Sequence, residues 1–133
     1  MPLKVEEAQK VLSLVSEKEK RSFEFVEVVF VNENEIISVN KKFLDRDYVT
    51  DIISFHYTEE ENASIEGTLY CCAPRIQEQA DELNQPHKTE FFRIFIHGLL
   101  HLIGYEDQTP EEKLEMRNKE DFYLNLLALP YEK

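Results

Sequence analysis

The sequence predicts an α+β fold: a single domain, residues 1–133, in which a small mixed β-sheet is surrounded by helices. Three observations predict it. Segments of helical and of strand-like apolar spacing alternate along the 133 residues with no linker, repeat or low-complexity stretch between them. A chain of this length holds one domain and buries its own core without staples, and 42% hydrophobic with 11% aromatic residues supply the apolar area for one. Finally, the run from Phe91 to Ile103 is made almost wholly of Phe, Ile and Leu, as a helix at the centre of a domain requires.

The elements follow in order. Residues 3 to 20 set Val5, Ala8, Val11, Leu12 and Val15 at helical spacing, which predicts an amphipathic helix lying on the sheet. Phe23 to Val31 reads as a strand. Its alternation is imperfect, and the apolar end Val28-Val29-Phe30-Val31 implies cover on both faces. Asn32 is placed to cap a second helix running to about Leu44, with Ile36, Ile37, Val39 and Phe43 on its buried side. Thr50 to Tyr57 and Ile65 to Cys72 are the next strands, and Glu59 to Ser64 is a polar turn between them. Paired as a hairpin, their ends face the central helix, which makes Ser54, His56 and Thr68 candidate cleft residues.

Pro74 opens a short helix at its first turn, where the missing N–H donor is harmless, and Pro86 ends it beyond Asn84. Thr89 is placed to cap the long apolar helix. Thr109-Pro110-Glu111-Glu112 is a capping box with proline at the first helical position, opening a last helix to about Leu127 that is predicted to pack Leu114, Phe122 and Leu126 onto the domain. Cys71 and Cys72 are adjacent in a strand, so their side chains point to opposite faces and a disulfide between them is disfavoured. They read as small apolar residues of a reducing compartment. His56 and His87 read as surface histidines.

The chemistry concentrates at residues 97 to 107. His97 and His101 stand one helical turn apart, which sets their Cβ atoms roughly 5 to 6 Å from one another and lets two imidazoles meet one cation. Gly104 lets the chain leave the helix in a left-handed conformation, and the turn through Tyr105 and Glu106 returns Asp107 as a third ligand. Two imidazoles and one carboxylate with a fourth position left to water describe a catalytic zinc site better than a closed structural one. The other reading of the same spacing is a buried, hydrogen-bonded histidine pair. A zinc peptidase needs a glutamate next to the first histidine as general base, and here that position is Gly98. A diverged peptidase using Glu106 as base is therefore a minor alternative.

These residues resemble a known family. The stretch His97-Gly98-Leu99-Leu100-His101-Leu102-Ile103-Gly104-Tyr105-Glu106-Asp107 is similar to the H-G-x-L-H-L-x-G-Y-D-H signature of the YbeY family of bacterial metal-dependent endoribonucleases. Thr50-Asp51-Ile52-Ile53-Ser54-Phe55 resembles a second family block, T-D-V-L-S-F, and Asn40, Phe43 and Asp47 fall where the family has an asparagine, an aromatic and an aspartate. The resemblance implies a hydrolase of single-stranded RNA that acts in ribosomal RNA maturation and ribosome quality control in the cytoplasm. It implies one zinc per chain on His97, His101 and Asp107, with His97 also counted as catalytic. Three departures stand out. Asp107 replaces the family's third histidine, Leu44 occupies the place of an arginine linked to cleavage, and Thr68 replaces an aspartate near the cleft. Arg46, two residues beyond Leu44, is the candidate to take over catalytic and substrate-binding duty, with Lys42 as a second substrate-binding cation.

The formal net charge of −12 and pI near 4.7 sit awkwardly with an RNA enzyme, because phosphate neutralisation by Lys and Arg supplies non-specific affinity. Either a local strip drawn from Lys41, Lys42, Arg46, Arg75, Lys88 and Arg93 binds the strand, or a basic partner brings it. The implied partners are a ribosomal RNA precursor and the small ribosomal subunit or its proteins, with neither DNA nor a membrane. The acidic surface also fits a second reading, a ribosome-assembly interaction protein whose zinc is mainly structural, steered to a basic ribosomal protein. The chain has no run of eighteen apolar residues and its start lacks the apolar core of a signal peptide, so a cytoplasmic protein is expected.

Overall fold

The computed structural model describes residues 3–57 and 64–127, so most of the predicted Glu59–Ser64 turn lies outside the described residues. The described chain forms α1 (Val5–Glu19), β1 (Phe23–Val31), α2 (Glu33–Leu44), β2 (Ile52–His56), β3 (Ile65–Cys72), α3 (Ala73–Glu82), α4 (His87–Ile103) and α5 (Pro110–Leu126). This is the α+β architecture expected. None of its helices is long and apolar enough to cross a membrane.

The sheet is mixed and has the order β1-β3-β2. β3 runs parallel to β1, with Val28 beside Leu69, and antiparallel to β2, with Ser54 beside Leu69. As the central strand β3 is buried on both faces, in keeping with the apolar run Leu69-Tyr70-Cys71-Cys72 that ends it. Successive side chains divide the interior into two layers. Leu69 and Cys71 join the large core built on α1, α3, α4 and α5, whereas Tyr70 and Cys72 pack with Ile36 and Val39 of α2 on the opposite face. The two cysteines are buried free thiols on opposite sides, and burial, with Asp51 and Cys72 adding charge, pushes the Cys71 thiol up to about 12. It stays protonated and inert.

α4 is the central helix, buried from Thr89 to Leu102 except at His97 and His101, which are left partly open. It approaches the sheet closely at Gly98, where a Cβ would sit 2.7 Å from Ile52 Cδ1 and 2.9 Å from Leu69 Cδ1. A glutamate beside the first histidine has no room here, which gives a structural reason for the departure from the peptidase pattern. α4 begins at His87 with Pro86 as its cap residue, three positions before the predicted Thr89 cap. The proline ring presets an extended entry (φ −58°) and Thr89 is buried in the first turn instead.

The Thr109–Glu112 capping box forms on α5 as predicted, and the predicted Asn32 cap of α2 is completed into a second box by Glu35. Three expectations of burial do not hold. On α5 the buried stripe is Met116, Glu120, Tyr123 and Leu124, while Leu114, Phe122 and Leu126 are exposed. Apolar spacing selected the wrong face because the right one carries a buried carboxylate. Phe43 of α2 is likewise 54% exposed, lying edge-on over Phe55. Val5, at the open end of α1, is exposed, and that helix buries Val11 and Val15 against the core beside α4.

Candidate metal centre

His97 and His101 project from the last two turns of α4, with ring centroids 4.5 Å apart and ring planes inclined at 77°. Gly104, at φ +125°, ends the helix in a conformation that strains any residue with a Cβ, and the Tyr105 N–H then donates to Leu100 O. The chain turns back and delivers Asp107 to the histidines. The His97 and His101 Nε2 atoms lie 3.0 Å apart, and Asp107 Oδ2 lies 3.4 Å from the first and 3.5 Å from the second. Three donors bound to one tetrahedral zinc at about 2.0–2.1 Å stand roughly 3.3 Å from one another. The observed triangle matches that edge length, so the residues fit a zinc-sized cation.

Behind the triangle lies a second layer. His97 Nδ1 is 2.7 Å from Glu120 Oε2 on α5, which fixes the proton on Nδ1 and leaves Nε2 as a lone pair aimed at the cation position. Glu120 Oε1 accepts from Arg93 Nη1 at 2.8 Å, and Arg93 Nη2 donates to Asp121 Oδ1 at 2.6 Å. Burial works against the charge on Arg93, but its bonds to Asp121 and Glu120 outweigh that and hold the guanidinium above its ordinary value. Burial also opposes a charge on His97. The Glu120 bond and the nearby carboxylates of Asp107 and Asp51 overcome it, so the imidazolium is favoured on balance. The carboxylates that favour a proton on His97 favour a metal cation beside it for the same reason.

The triangle forms part of the wall of a cleft of about 580 Å³ between α4, β2 and the segment joining α2 to β2. Its other lining residues include Leu44, Arg46, Tyr48, Ser54, His56 and Glu106. Asn40 Nδ2, donating to Tyr48 O at 3.0 Å, pins the joining segment over the cleft. The side chains of His97, His101 and Asp107 remain 20%, 25% and 31% exposed, so a substrate in the cleft reaches them.

Residues 4–128 match the profile of the family described as Endoribonuclease YbeY. The chain belongs to this family. Among curated relatives, the Endoribonuclease YbeY of Cytophaga hutchinsonii is 39% identical over 115 residues, spanning 86% of this chain and 80% of the relative. That of Chlorobium limicola is 40% identical over 111 residues, 84% of this chain and 76% of the relative. The solution structure of the Thermotoga maritima protein TM1509 superposes with a TM-score of 0.65 at 28% identity, over 93% of this chain and 83% of that one.

Within the YbeY frame the remaining site residues fall as follows. Arg46 lines the cleft, its Nη1 donating to the Tyr48 hydroxyl at 3.3 Å, and Leu44 lines it at the place of the expected arginine. Lys42 is not part of the cleft wall; its ammonium lies 5.2 Å above the Phe43 ring. Ser54 and His56 line the cleft as expected, but Thr68 does not. It is buried on the opposite face of β3, bonded to the Tyr57 hydroxyl and to Glu27, because a shift of one residue along a strand reverses the face. The proposed basic strip breaks up. Arg75 is paired with Glu78 and Glu82, Lys88 with Glu7, and Arg93 is buried behind the histidines. His87 is an exposed histidine 2.8 Å from Asp81.

The Arg93–Glu120 pair is what sequence reasoning missed. Its signals were present: an arginine one turn before His97 in an apolar run, and a glutamate on the stripe that α5 buries.

Proposed function

We propose that this YbeY-family chain is a metal-dependent endoribonuclease for single-stranded RNA, a single metallohydrolase domain acting in ribosomal RNA maturation and ribosome quality control in the cytoplasm. The reading rests on one observation: three donor atoms converge at zinc spacing on the wall of an open cleft, with the first imidazole backed by a buried carboxylate. One zinc per chain would be held by His97, His101 and Asp107. When bound, such a cation supplies Lewis acidity toward a phosphodiester oxygen and lowers the pKa of water.

The chain's own residues supply the rest. Glu120 holds His97 in the tautomer that presents Nε2, and the bond from Arg93 Nη1 holds Glu120 in place. Among the described residues Arg46 is the one Lys or Arg lining the cleft, and its planar guanidinium is suited to grip a non-bridging phosphate pair while the Tyr48 hydroxyl fixes its orientation. Lys42, which does not line the cleft, would add charge only toward a strand that extends beyond it. The substrate proposed is a ribosomal RNA precursor, presented with the small subunit or its proteins.

The test is metal content of the purified protein and of its Asp107→Ala and His97→Ala variants, followed by cleavage of a single-stranded RNA with and without chelator. One zinc per chain, lost in His97→Ala, with cutting that chelator abolishes, is the expected result. Leu44 in the place of an arginine and the charge of −12 favour one other reading, an assembly protein whose zinc is structural. Bound zinc without cutting would select it.

A further inference from the structure

A second cavity, of about 310 Å³, adjoins the metal centre on its α5 side. It shares His97, Asp107 and Asp51 with the main cleft, so the candidate ligands stand as a partition between two depressions. Its wall includes Lys113 and Arg117, which stand one helical turn apart on the same face of α5. Both are exposed, and neither makes an ion pair with a described residue.

Of the described Lys and Arg side chains only Arg75, Lys88, Arg93 and Lys119 form ion pairs, so what sets Lys113 and Arg117 apart is their place on a wall that His97 and Asp107 share with the main cleft. Two unpaired cations flanking a catalytic partition leave their charge available to an anion from outside. Four acids share that wall: Glu120 is answered by Arg93, Asp107 faces the cation position, burial raises the Glu90 carboxyl against the charges of Arg93 and Arg117, and Asp51 lies toward the main cleft that it also lines. A strand cut at the partition must carry phosphates away from it in both directions, and the main cleft offers Arg46 on one side only.

We propose that the cavity beneath α5 is a second subsite for the RNA strand, in which Lys113 and Arg117 hold the phosphates on the side of the scissile bond opposite Arg46. This rests on the endoribonuclease reading. It also accounts for how an acidic protein grips RNA, with a few placed cations on both sides of the metal centre in place of a basic surface.

The experiment is fluorescence anisotropy of a fluorescein-labelled, 2′-O-methylated single-stranded oligouridylate, titrated with zinc-loaded protein over a series of salt concentrations. The wild type is compared with Lys113→Gln/Arg117→Gln, with the charge-keeping swap Lys113→Arg/Arg117→Lys, and with a charge-matched control on α1, Lys10→Gln/Lys18→Gln. Each phosphate contact to a single strand adds about 0.7 to the slope of log Kd against log salt. The Gln pair is expected to weaken binding and to flatten that slope by about 1.4, with zinc content unchanged, while the swap and the α1 control keep the wild-type slope. Equal slopes for wild type and the Gln pair would overturn the subsite and leave the endoribonuclease reading standing. A wild type that does not bind the strand would remove both.

Discussion

Glu120 gives one carboxylate oxygen to His97 Nδ1 and the other to Arg93, so a single buried side chain couples the histidine's tautomer to a guanidinium on the same helix. Replacing it with Gln removes the charge but keeps the size. Zinc affinity is expected to fall about 10–100-fold, as for other carboxylates behind a metal-bound histidine, and competition with a chromophoric chelator measures it. Stability is expected to drop as well, because Arg93 keeps only Asp121 as counter-charge. Leu44 makes a second residue-scale prediction. It lines the cleft 43% exposed, so Leu44→Arg sets a second guanidinium beside Arg46 without disturbing the core. Cleavage of single-stranded RNA is expected to rise, mainly through a lower KM, and an unchanged rate would show that this position is not used. The convergence of the three donor atoms was legible in the sequence because all of it lies within eleven consecutive residues governed by helix geometry and one glycine. Glu120 was not, since its meeting with His97 is made by the packing of α5 on α4.

At the scale of elements, what carries the site is the close contact of α4 with the sheet. Gly98 permits it, and a methyl there meets the branched ends of Ile52 and Leu69, both held by their own neighbours. Gly98→Ala is expected to cost about 1–3 kcal/mol as an overpacking change, read as a lower urea midpoint at unchanged slope. Because His97 is the adjacent residue, a shift of the helix also loosens the donor triangle, and zinc affinity is expected to fall in parallel. Capping and proline chemistry placed the starts of α2, α3 and α5 correctly, since those signals act within four residues. The buried face of α5 and the side of β3 that bears Thr68 depend on what lies across the interface. Apolar spacing reports such a face only when the face is apolar, and on α5 it holds Glu120.

At the scale of the whole molecule, the mixed sheet and its surrounding helices were legible from the alternation of periodicities, but the order β1-β3-β2 was not. Which strand takes the centre is decided by burial on both faces, and both β1 and β3 end in apolar runs that fit the position. The helical shell is closed by a polar junction that no local pattern announced. Glu19, at the end of α1, accepts hydrogen bonds from Tyr105 beyond α4 and from Tyr123 and Lys119 of α5. Burial alone raises a carboxyl, yet these three donors outweigh it and hold Glu19 below its ordinary value. The unfolded chain therefore takes up this proton first, in the ordinary glutamate range of about 4.3, while the folded chain still resists it. The junction's contribution is complete above that range and is lost as pH falls through the lower folded value. Glu19→Gln removes the pH-dependent part and leaves a weaker acceptor. The wild type is expected to be the more stable at neutral pH, by about 1–3 kcal/mol for a charged acceptor, with the gap in melting temperature closing as pH drops below about 4.3. A gap that stays constant down to acid pH would mean that Glu19 joins α1 to α5 by shape and neutral hydrogen bonding alone.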